Sequence, residues 1–217
     1  MSTFKNKKPV IAIDGTAGSG KGELAKKLSK TLKFDHLDSG ILYRIYAYEY
    51  LRKGYKFKDL KLVEIDFNSF LKKNSNANLR TNEVSELASK IAKKSFVREK
   101  LISVQRNFAN SPPSGLGSVI DGRDITTKIA PNAEIKFYLD ADINVRAKRR
   151  QIQLGLKDKD YNEILRMIDF RDVQDKNRKI SPLKKAKDSL FINTTNISES
   201  DVFNLAIKHI KEKTDFI

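Results

Sequence analysis

The sequence contains no cysteine and no tryptophan, and it has two histidines, at positions 36 and 209. The lack of cysteine excludes disulfides and thiolate metal sites. With so few histidines, we expect neither a histidine-based metal site nor a Ser–His triad. No hydrophobic run approaches the length of a membrane span, and the lysine-dotted N-terminus lacks the apolar core of a signal peptide. We therefore expect a cytoplasmic protein without a membrane partner.

Positive charge, by contrast, is abundant, with 43 Lys and Arg against 27 Asp and Glu and a net charge of +16. Such a charge suits either a nucleic-acid partner or a small polyanionic substrate. Arginine accounts for 12 of the basic residues, and most arginines fall in a few segments, whereas the lysines are scattered. This distribution favours a focused anion site over a broad nucleic-acid surface.

Residues 10–23 predict a phosphate-binding loop. Residues 10–13 have the apolar pattern of a buried strand, and apolar residues recur at helical spacing over 24–32. Between them, Gly15, Gly20 and Lys21 match the spacing G-x-x-x-x-G-K, with Gly22 where Ser or Thr is usual. Glycines let backbone N–H groups face an anion, and the helix N-terminus adds partial positive charge. The alternative is a glycine-rich turn that merely connects two elements.

Further strands are predicted at 34–37, 118–120, 134–139 and 189–192. Helices are predicted at 41–53, 82–94, 96–109 and 162–178, from about 142, and after Ser198. This alternation predicts an α/β fold with a doubly wound parallel sheet. Ligands bind beyond the carboxyl ends of strands in such sheets, where the glycine loop, residues 38–39 and residues 121–124 fall.

The segment Asp121-Gly-Arg-Asp124 places two carboxylates around one arginine at a predicted strand end. Asp121 is suited to hold a water bound to Mg²⁺, since hard cations prefer oxygen ligands and keep several waters. Arg123 can bind a phosphate through two parallel hydrogen bonds. The alternative is an Asp–Arg pair that stabilises the turn.

Two predicted helices carry arginines at helical spacing. Arg146, Arg149 and Arg150 share one face, where a polyphosphate would relieve their mutual repulsion. The stripe from Ile164 to Arg178 changes from apolar to Arg and Asp without changing face, which is typical of a helix running from a core into a cleft. The alternatives are a solvated basic face for the first helix and an end projecting into solvent for the second.

Taken together, these segments closely resemble the bacterial cytidylate kinases, within the nucleoside monophosphate kinase group of P-loop proteins. The matching segments cover nearly the whole chain apart from about 54–79; DGRD and the RD-x-x-x-KNR run followed by SPL are the most specific of them. In chain order they are IAIDGTAGSGKGELAKKLSK, LDSGILYR, ASK with FVREKL, DGRDITTKIAPNAEIKFYLDAD, RAKRRQIQ, FRDVQDKNRKISPLKKAKDSL and NTTNIS.

The resemblance implies transfer of the ATP γ-phosphate to CMP or dCMP with Mg²⁺. It implies a P-loop NTPase fold in one domain, 1–217, with a reduced monophosphate-side insert at 54–81 and a lid loop at 150–161. We also expect a monomer with no nucleic-acid partner. The residues implied for ATP are Gly15, Thr16, Ala17, Gly18, Ser19, Gly20, Lys21, Gly22 and Glu23. Those implied for CMP are Ser39, Arg44, Ser89, Arg98, Arg123, Asp124, Arg171, Asp175 and Arg178.

The predicted catalytic residues are Lys21, Arg123, Arg146, Arg149 and Arg150, and no covalent nucleophile is required. Cytosine recognition suits Asp124, which can accept from the amino group, and Arg98, which can donate to the ring acceptors. Uracil has an acceptor at the amino position and would face the carboxylate unpaired.

Two features depart from the family pattern. Glu23 stands where Thr is expected, so we expect its carboxylate to turn away from the phosphates, and the insert after Gly54 is short. Two other functions remain open, a monophosphate kinase for UMP or AMP and a nucleotide-gated RNA-binding protein. The RNA-binding reading predicts aromatics interleaved with a basic patch, and the sequence has no such cluster.

Overall fold

The computed structural model describes residues 8–55, 65–67, 70, 78–79 and 81–216. The chain divides into two compact units, Met1–Leu37 with Arg106–Ile217, and Asp38–Gln105. The predicted insert at 54–81 lies largely outside the described residues. No helix in the described ranges is long and apolar enough to cross a membrane.

The elements follow the order expected from the sequence, with boundaries that differ by a few residues. The strands are β1 (Val10–Gly15), β2 (Asp35–Asp38), β3 (Ser118–Gly122), β4 (Ile135–Asp140) and β5 (Leu190–Asn193). The helices are α1 (Lys21–Leu32), α2 (Ser39–Arg52), α3 (Asn82–Ile91), α4 (Ser95–Asn110), α5 (Ile143–Leu154), α6 (Tyr161–Asn177) and α7 (Glu199–Lys213). The predicted lid loop, 150–161, begins inside α5, so residues 155–160 separate α5 from α6.

The five strands form one sheet in the order β2-β3-β1-β4-β5. β1 pairs in parallel with β3 and β4, and β4 pairs in parallel with β5. Because β1 is central, it is buried along its whole length, which explains the apolar run of its first four residues, Val10–Ile13. The predicted doubly wound parallel sheet is confirmed.

Helices α1 and α7 pack against the strands of the first unit. Ile13 of β1 and Phe137 of β4 are fully buried in one cluster with Leu28 of α1 and Ile210 of α7. The ring of His209 lies edge-on to Phe137, with centroids 5.7 Å apart. Helix α7 begins as predicted, because Ser198 and Asp201 form a reciprocal capping box.

Helices α5 and α6 share a smaller core of Ala147, Ile164 and Ile168. The apolar half of the predicted stripe on α6 is therefore packed against α5. The second unit has its own core, in which Ile45, Phe70 and Leu79 are buried together.

Candidate functional site

The phosphate loop, Gly15–Gly20, connects the end of β1 to α1, and its glycines meet different requirements. Gly18 and Gly20 have φ values of 75° and 85°, a region that disfavours residues with a side chain. Gly15 is required by space, since a Cβ there would lie 2.2 Å from the carbonyl oxygen of Leu139 on β4. The loop is thus shaped by its own backbone and by the neighbouring strand.

Thr16 anchors the start of the loop. Its hydroxyl donates to Oδ1 of Asp140 at 2.6 Å, and its N–H donates to the carbonyl of Leu139 at 3.3 Å. The carbonyl oxygen of Thr16 accepts from Ser19 Oγ at 3.0 Å and from Lys21 Nζ at 3.3 Å. Lys21, which is predicted to bind the ATP phosphates, therefore lies over the loop.

Helix α5 contacts the next part of the loop through Arg146, which is 5% exposed. Its Nη1 donates to the carbonyl oxygen of Ala17 at 3.1 Å and lies 2.6 Å from Oδ2 of Asp172 on α6. Its Nε donates to the carbonyl of Ala141 at 2.8 Å. A carboxylate thus neutralises the first of the three arginines that share a face of α5.

The other two arginines of α5 have neutral acceptors. Arg149 donates from Nη1 to the hydroxyl of Thr194 at 3.0 Å and from Nη2 to its carbonyl at 2.6 Å. The same Thr194 hydroxyl donates to the carbonyl of Ser19 at 3.1 Å. Arg150 donates to the side chain of Gln153 at 2.8 Å. Arg149 therefore reaches the phosphate loop through Thr194.

Asp121, at the end of β3, lies beside the start of α1. Its Oδ1 is 2.8 Å from Nε2 of His36, and its Oδ2 is 3.9 Å from the position that a Cβ at Gly22 would take. The described residues contain no cluster of three or more metal-ligating side chains. One carboxylate next to a phosphate loop nonetheless fits Mg²⁺, which uses one or two carboxylates together with phosphates and water.

Asp14 connects β1 to the turn that follows Arg123. Its two oxygens accept from the N–H groups of Ile125 and Thr126, at 2.9 and 2.8 Å, and from the hydroxyl of Thr126 at 2.6 Å. Burial raises the pKa of Asp14 to about 6, although the hydrogen bonds from Thr126 and Ile125 act in the opposite direction. These bonds hold the start of the 125–129 turn, next to the predicted base-reading Asp124.

The Asp175 cluster consists of Asp175 and three arginines, Arg123, Arg171 and Arg178. Asp175 Oδ2 lies 2.7 Å from Nε of Arg123 and 3.9 Å from Nε of Arg171, and its Oδ1 lies 3.6 Å from Nη1 of Arg178. Burial alone raises the pKa of Asp175, but the charges of the three arginines outweigh it and hold the pKa below its usual range. The structure therefore brings four predicted CMP-binding residues together.

The second unit contains four of the other five predicted CMP-binding residues, Ser39, Arg44, Ser89 and Arg98, and the fifth, Asp124, lies in the first unit. Arg98 is 2% exposed; its Nη1 donates to the hydroxyl of Tyr43 at 3.2 Å, and its guanidinium lies 5.5 Å from the centre of that ring. Arg44 lies 3.7 Å from Asp38, which also caps α2 by accepting from the N–H of Gly40. Ser39 begins α2 and Ser89 lies on α3.

The sequence is similar to one known protein family along nearly its whole length. The family model described as Cytidylate kinase matches residues 11–212. The chain belongs to the cytidylate kinase family. Among its relatives, the cytidylate kinase of Bartonella tribocorum is 42% identical over 208 residues, covering 93% of this chain and 94% of the relative. That of Thermosipho melanesiensis is 41% identical over 215 residues, covering 94% and 97%. The recognition made from the sequence is confirmed.

Solved structures agree on the fold at lower identity. An uncharacterized protein from Eubacterium ventriosum superposes with a TM-score of 0.55 at 18% identity, covering 94% of this chain and 99% of that one. The protein TT1252 from Thermus thermophilus gives 0.54 at 15%, covering 95% and 98%.

Five side chains next to the predicted site residues were not singled out from the sequence as functional. Each of them contacts a predicted site residue or its neighbours. Asp14 holds the turn after β3, and His36 contacts Asp121 at the end of β3. Asp140 and Thr194 contact the phosphate loop directly, and Asp172 contacts it through Arg146. The sequence did offer a signal for Asp14, because it is a charged residue at the end of an apolar run and next to the glycine-rich loop. Glu23, assigned to ATP by motif position, lies exposed in the first turn of α1.

Proposed function

We propose that this protein transfers the γ-phosphate of ATP to CMP or dCMP, giving CDP or dCDP. The observation that supports this most is membership of the cytidylate kinase family across residues 11–212. The site geometry is consistent with it, because the phosphate loop and the Asp175 cluster both belong to the first unit. The reaction needs positioning and charge stabilisation rather than a covalent intermediate.

On the ATP side, we propose that Gly15–Glu23 bind the phosphates. The turns at Gly18 and Gly20 and the N-terminus of α1 supply backbone N–H donors and partial positive charge. Lys21 then leaves the Thr16 carbonyl, 3.3 Å away, for the outer phosphates. An ammonium over developing negative charge stabilises the transition state more than the ground state.

We propose that Asp121 holds Mg²⁺ through a water molecule. When bound, Mg²⁺ neutralises charge on the transferring phosphoryl group. His36 fixes the orientation of the Asp121 carboxylate by contacting Oδ1, which leaves Oδ2 directed toward the start of α1.

On the acceptor side, we propose that Arg123 and Arg178 bind the phosphate of CMP, while Arg171 and Asp175 contact its sugar region. Asp175 holds the three guanidiniums together. A phosphate with several oxygens can accept from the arginines in place of the carboxylate. The arginines therefore need little rearrangement to receive a dianion.

For the base, we propose that Arg98 donates to the ring acceptors of cytosine, that Asp124 accepts from its amino group and that Ser89 assists. Arg44 is proposed to contact the CMP phosphate and Ser39 the sugar region. Arg98 is suited to this role because it is buried and its guanidinium plane is fixed by Tyr43. A fixed donor discriminates bases better than a mobile one. We also assign Arg146, Arg149 and Arg150 to charge stabilisation on the ATP side.

The test is phosphate transfer from ATP with Mg²⁺ to a panel of CMP, dCMP, UMP, AMP and GMP, measured by a coupled ADP assay. We expect turnover with CMP and dCMP that exceeds the other acceptors by at least about 10²-fold in kcat/KM. Equal or better turnover with UMP or AMP would assign the protein to another acceptor. No ADP from any acceptor, together with salt-steep RNA binding on filters, would favour the RNA-binding alternative suggested by the charge of +16.

A further inference from the structure

The carbonyl oxygens of the phosphate loop are held by specific side chains. Arg146 donates to the Ala17 carbonyl, Thr194 donates to the Ser19 carbonyl, and Ser19 and Lys21 donate to the Thr16 carbonyl. In a planar trans peptide, the carbonyl and the N–H of the next residue point in opposite directions. A donor that fixes a carbonyl on one side of the loop therefore fixes an N–H on the other side.

The peptide between Ala17 and Gly18 depends on Arg146 in two ways. The guanidinium of Arg146 holds the Ala17 carbonyl at 3.1 Å. The backbone of Arg146 also supports the loop, because a Cβ at Gly18 would lie 3.2 Å from both the Cβ and the carbonyl oxygen of Arg146. The loop thus packs directly on α5 at Arg146, and the hydrogen bond to the Ala17 carbonyl constrains the direction of the Gly18 N–H.

Arg146 depends in turn on Asp172 of α6. Both side chains are about 6% exposed, and Nη1 of Arg146 lies 2.6 Å from Oδ2 of Asp172. The carboxylate of Asp140 is farther away, with Oδ1 3.8 Å from Nε of Arg146. A buried guanidinium that loses its close carboxylate is left with an uncompensated charge. Removing the charge of Asp172 should therefore loosen Arg146 from the loop.

Asp172 also lies one helical turn before Asp175, which holds Arg123 at 2.7 Å. Two carboxylates one turn apart on α6 therefore hold two arginines: Asp172 holds Arg146, which contacts the phosphate loop, and Asp175 holds Arg123, which follows β3. Arginine spacing alone does not reveal this arrangement, since it becomes visible only when α5 and α6 are packed together.

We infer that Asp172 is a positioning residue for ATP: through Arg146 it orients the Ala17–Gly18 peptide so that the Gly18 N–H faces the phosphates. This inference rests on the proposed function, because it requires ATP phosphates at the loop. It does not require Asp172 to touch either nucleotide. The charge of Asp172 also acts on Arg123, but Arg123 keeps its 2.7 Å contact with Asp175 when that charge is lost. The inference therefore predicts that losing the charge of Asp172 weakens ATP binding far more than CMP binding.

The test compares Asp172→Asn with Asp169→Asn, which makes the same chemical change at an exposed position one turn earlier on α6. We would measure KM for ATP at saturating CMP and KM for CMP at saturating ATP. Calorimetry in the absence of CMP would give Kd for ATP. We expect Asp172→Asn to raise KM and Kd for ATP about tenfold and to change KM for CMP less than about twofold. Asp169→Asn should match the parent protein in all three.

Two further variants keep the test decisive. Arg146→Gln combined with Asp172→Asn should weaken ATP no more than Arg146→Gln alone, because both act through one contact. Asp172→Glu, which keeps the charge, should recover part of the ATP affinity and serves if Asp172→Asn does not fold. Additive losses, or KM values for ATP and CMP that rise together, would overturn the inference.

The failure of the proposed function would look different. If the parent protein transferred phosphate to no acceptor in the panel, the proposed reaction would be wrong. Calorimetry would still report ATP binding at the loop, so a tenfold loss in Asp172→Asn would support the positioning role regardless of turnover. If instead the parent turned over CMP and Asp172→Asn kept the parental Kd for ATP, the inference alone would fail.

Discussion

The phosphate loop and the Asp175 cluster lie in the same unit but are held in place by different chemistry. In the phosphate loop, the donors from Arg146, Thr194, Ser19 and Lys21 all end on backbone carbonyls. In the Asp175 cluster, three guanidiniums surround one buried carboxylate. The first region keeps its shape through the backbone, and the second keeps its shape through an internal anion.

Two buried carboxylates show the consequence. Asp14 faces neutral donors, so burial raises its pKa to about 6, whereas the arginines around Asp175 hold its pKa below the usual range. Donors that end on the carbonyls of the phosphate loop are suited to a loop whose own N–H groups meet the ligand. A charged cluster is suited to a site where the ligand brings the opposing charge and takes the place of Asp175.

The largest expected effect comes from removing the ammonium group of Lys21, which contacts the carbonyl of Thr16. Lys21→Ala should lower kcat by about 10³-fold and leave the fold intact, since the loop is held mainly by other side chains. The coupled assay measures turnover and circular dichroism measures folding. Lys27→Ala, on the exposed side of α1 where Lys27 pairs with Glu199, is the matched control. Turnover above a tenth of the parental value would contradict the role given to Lys21.

The corresponding change in the Asp175 cluster is Arg178→Ala. We expect kcat/KM for CMP to fall by about 10²-fold or more, because a charge-assisted contact to the CMP phosphate is lost. KM for ATP should stay within about twofold, which would separate the two regions functionally. Arg166→Ala, an exposed arginine on α6, should behave like the parent protein. An unchanged value for Arg178→Ala would remove that arginine from the CMP site.

Asp175→Asn tests whether the cluster depends on its internal anion. Leaving Arg123, Arg171 and Arg178 without their carboxylate should lower the free energy of unfolding at pH 7 by roughly 3–5 kcal/mol. Because the folded pKa of Asp175 is lowered, its stabilisation is present above the ordinary carboxyl pKa and is lost as the pH falls through the folded value. Urea unfolding at several pH values should show the difference narrowing below pH 4. A difference independent of pH would contradict this account.

Asp14→Asn should change the free energy of unfolding least, and its pH dependence should be opposite to that of Asp175→Asn. With a folded pKa of about 6, the stabilisation from neutral Asp14 is complete below pH 4 and is lost as the pH rises to 6. The parental stability relative to the variant should therefore fall by no more than about 3 kcal/mol over this range. Urea midpoints at pH 4.5, 5.5 and 6.5 measure it. Parallel curves for the two proteins would show that Asp14 does not titrate there.

Much of the fold could be predicted because its signals are local. The apolar run at Val10–Ile13, the helical spacing of Leu24 and Leu28, and the Ser198–Asp201 cap each act within a few residues. Each is found in the structure, with strand ends shifted by one or two positions. Strand order could not be read in the same way, because it depends on which long-range pairs bury the most surface.

For the site, the sequence indicated which arginines matter but not what opposes them. Arg123, Arg171 and Arg178 gather around Asp175, and the spacing on α6 suggested part of that arrangement. The partner of Arg146 could not be predicted, because Asp172 is 26 positions away and reaches it only through the packing of α5 on α6. The ligand contacts assigned to all these residues remain predictions.

The central position of β1 also has a consequence during synthesis. Ile11 pairs with Val119 and Ile135, so more than a hundred residues must be added before either neighbour exists. At ordinary translation speeds this interval is on the order of ten seconds. Throughout it, the apolar residues of β1 have both strand edges open to other nascent segments. Production of this protein should therefore be sensitive to the supply of chaperones that shield emerging chains.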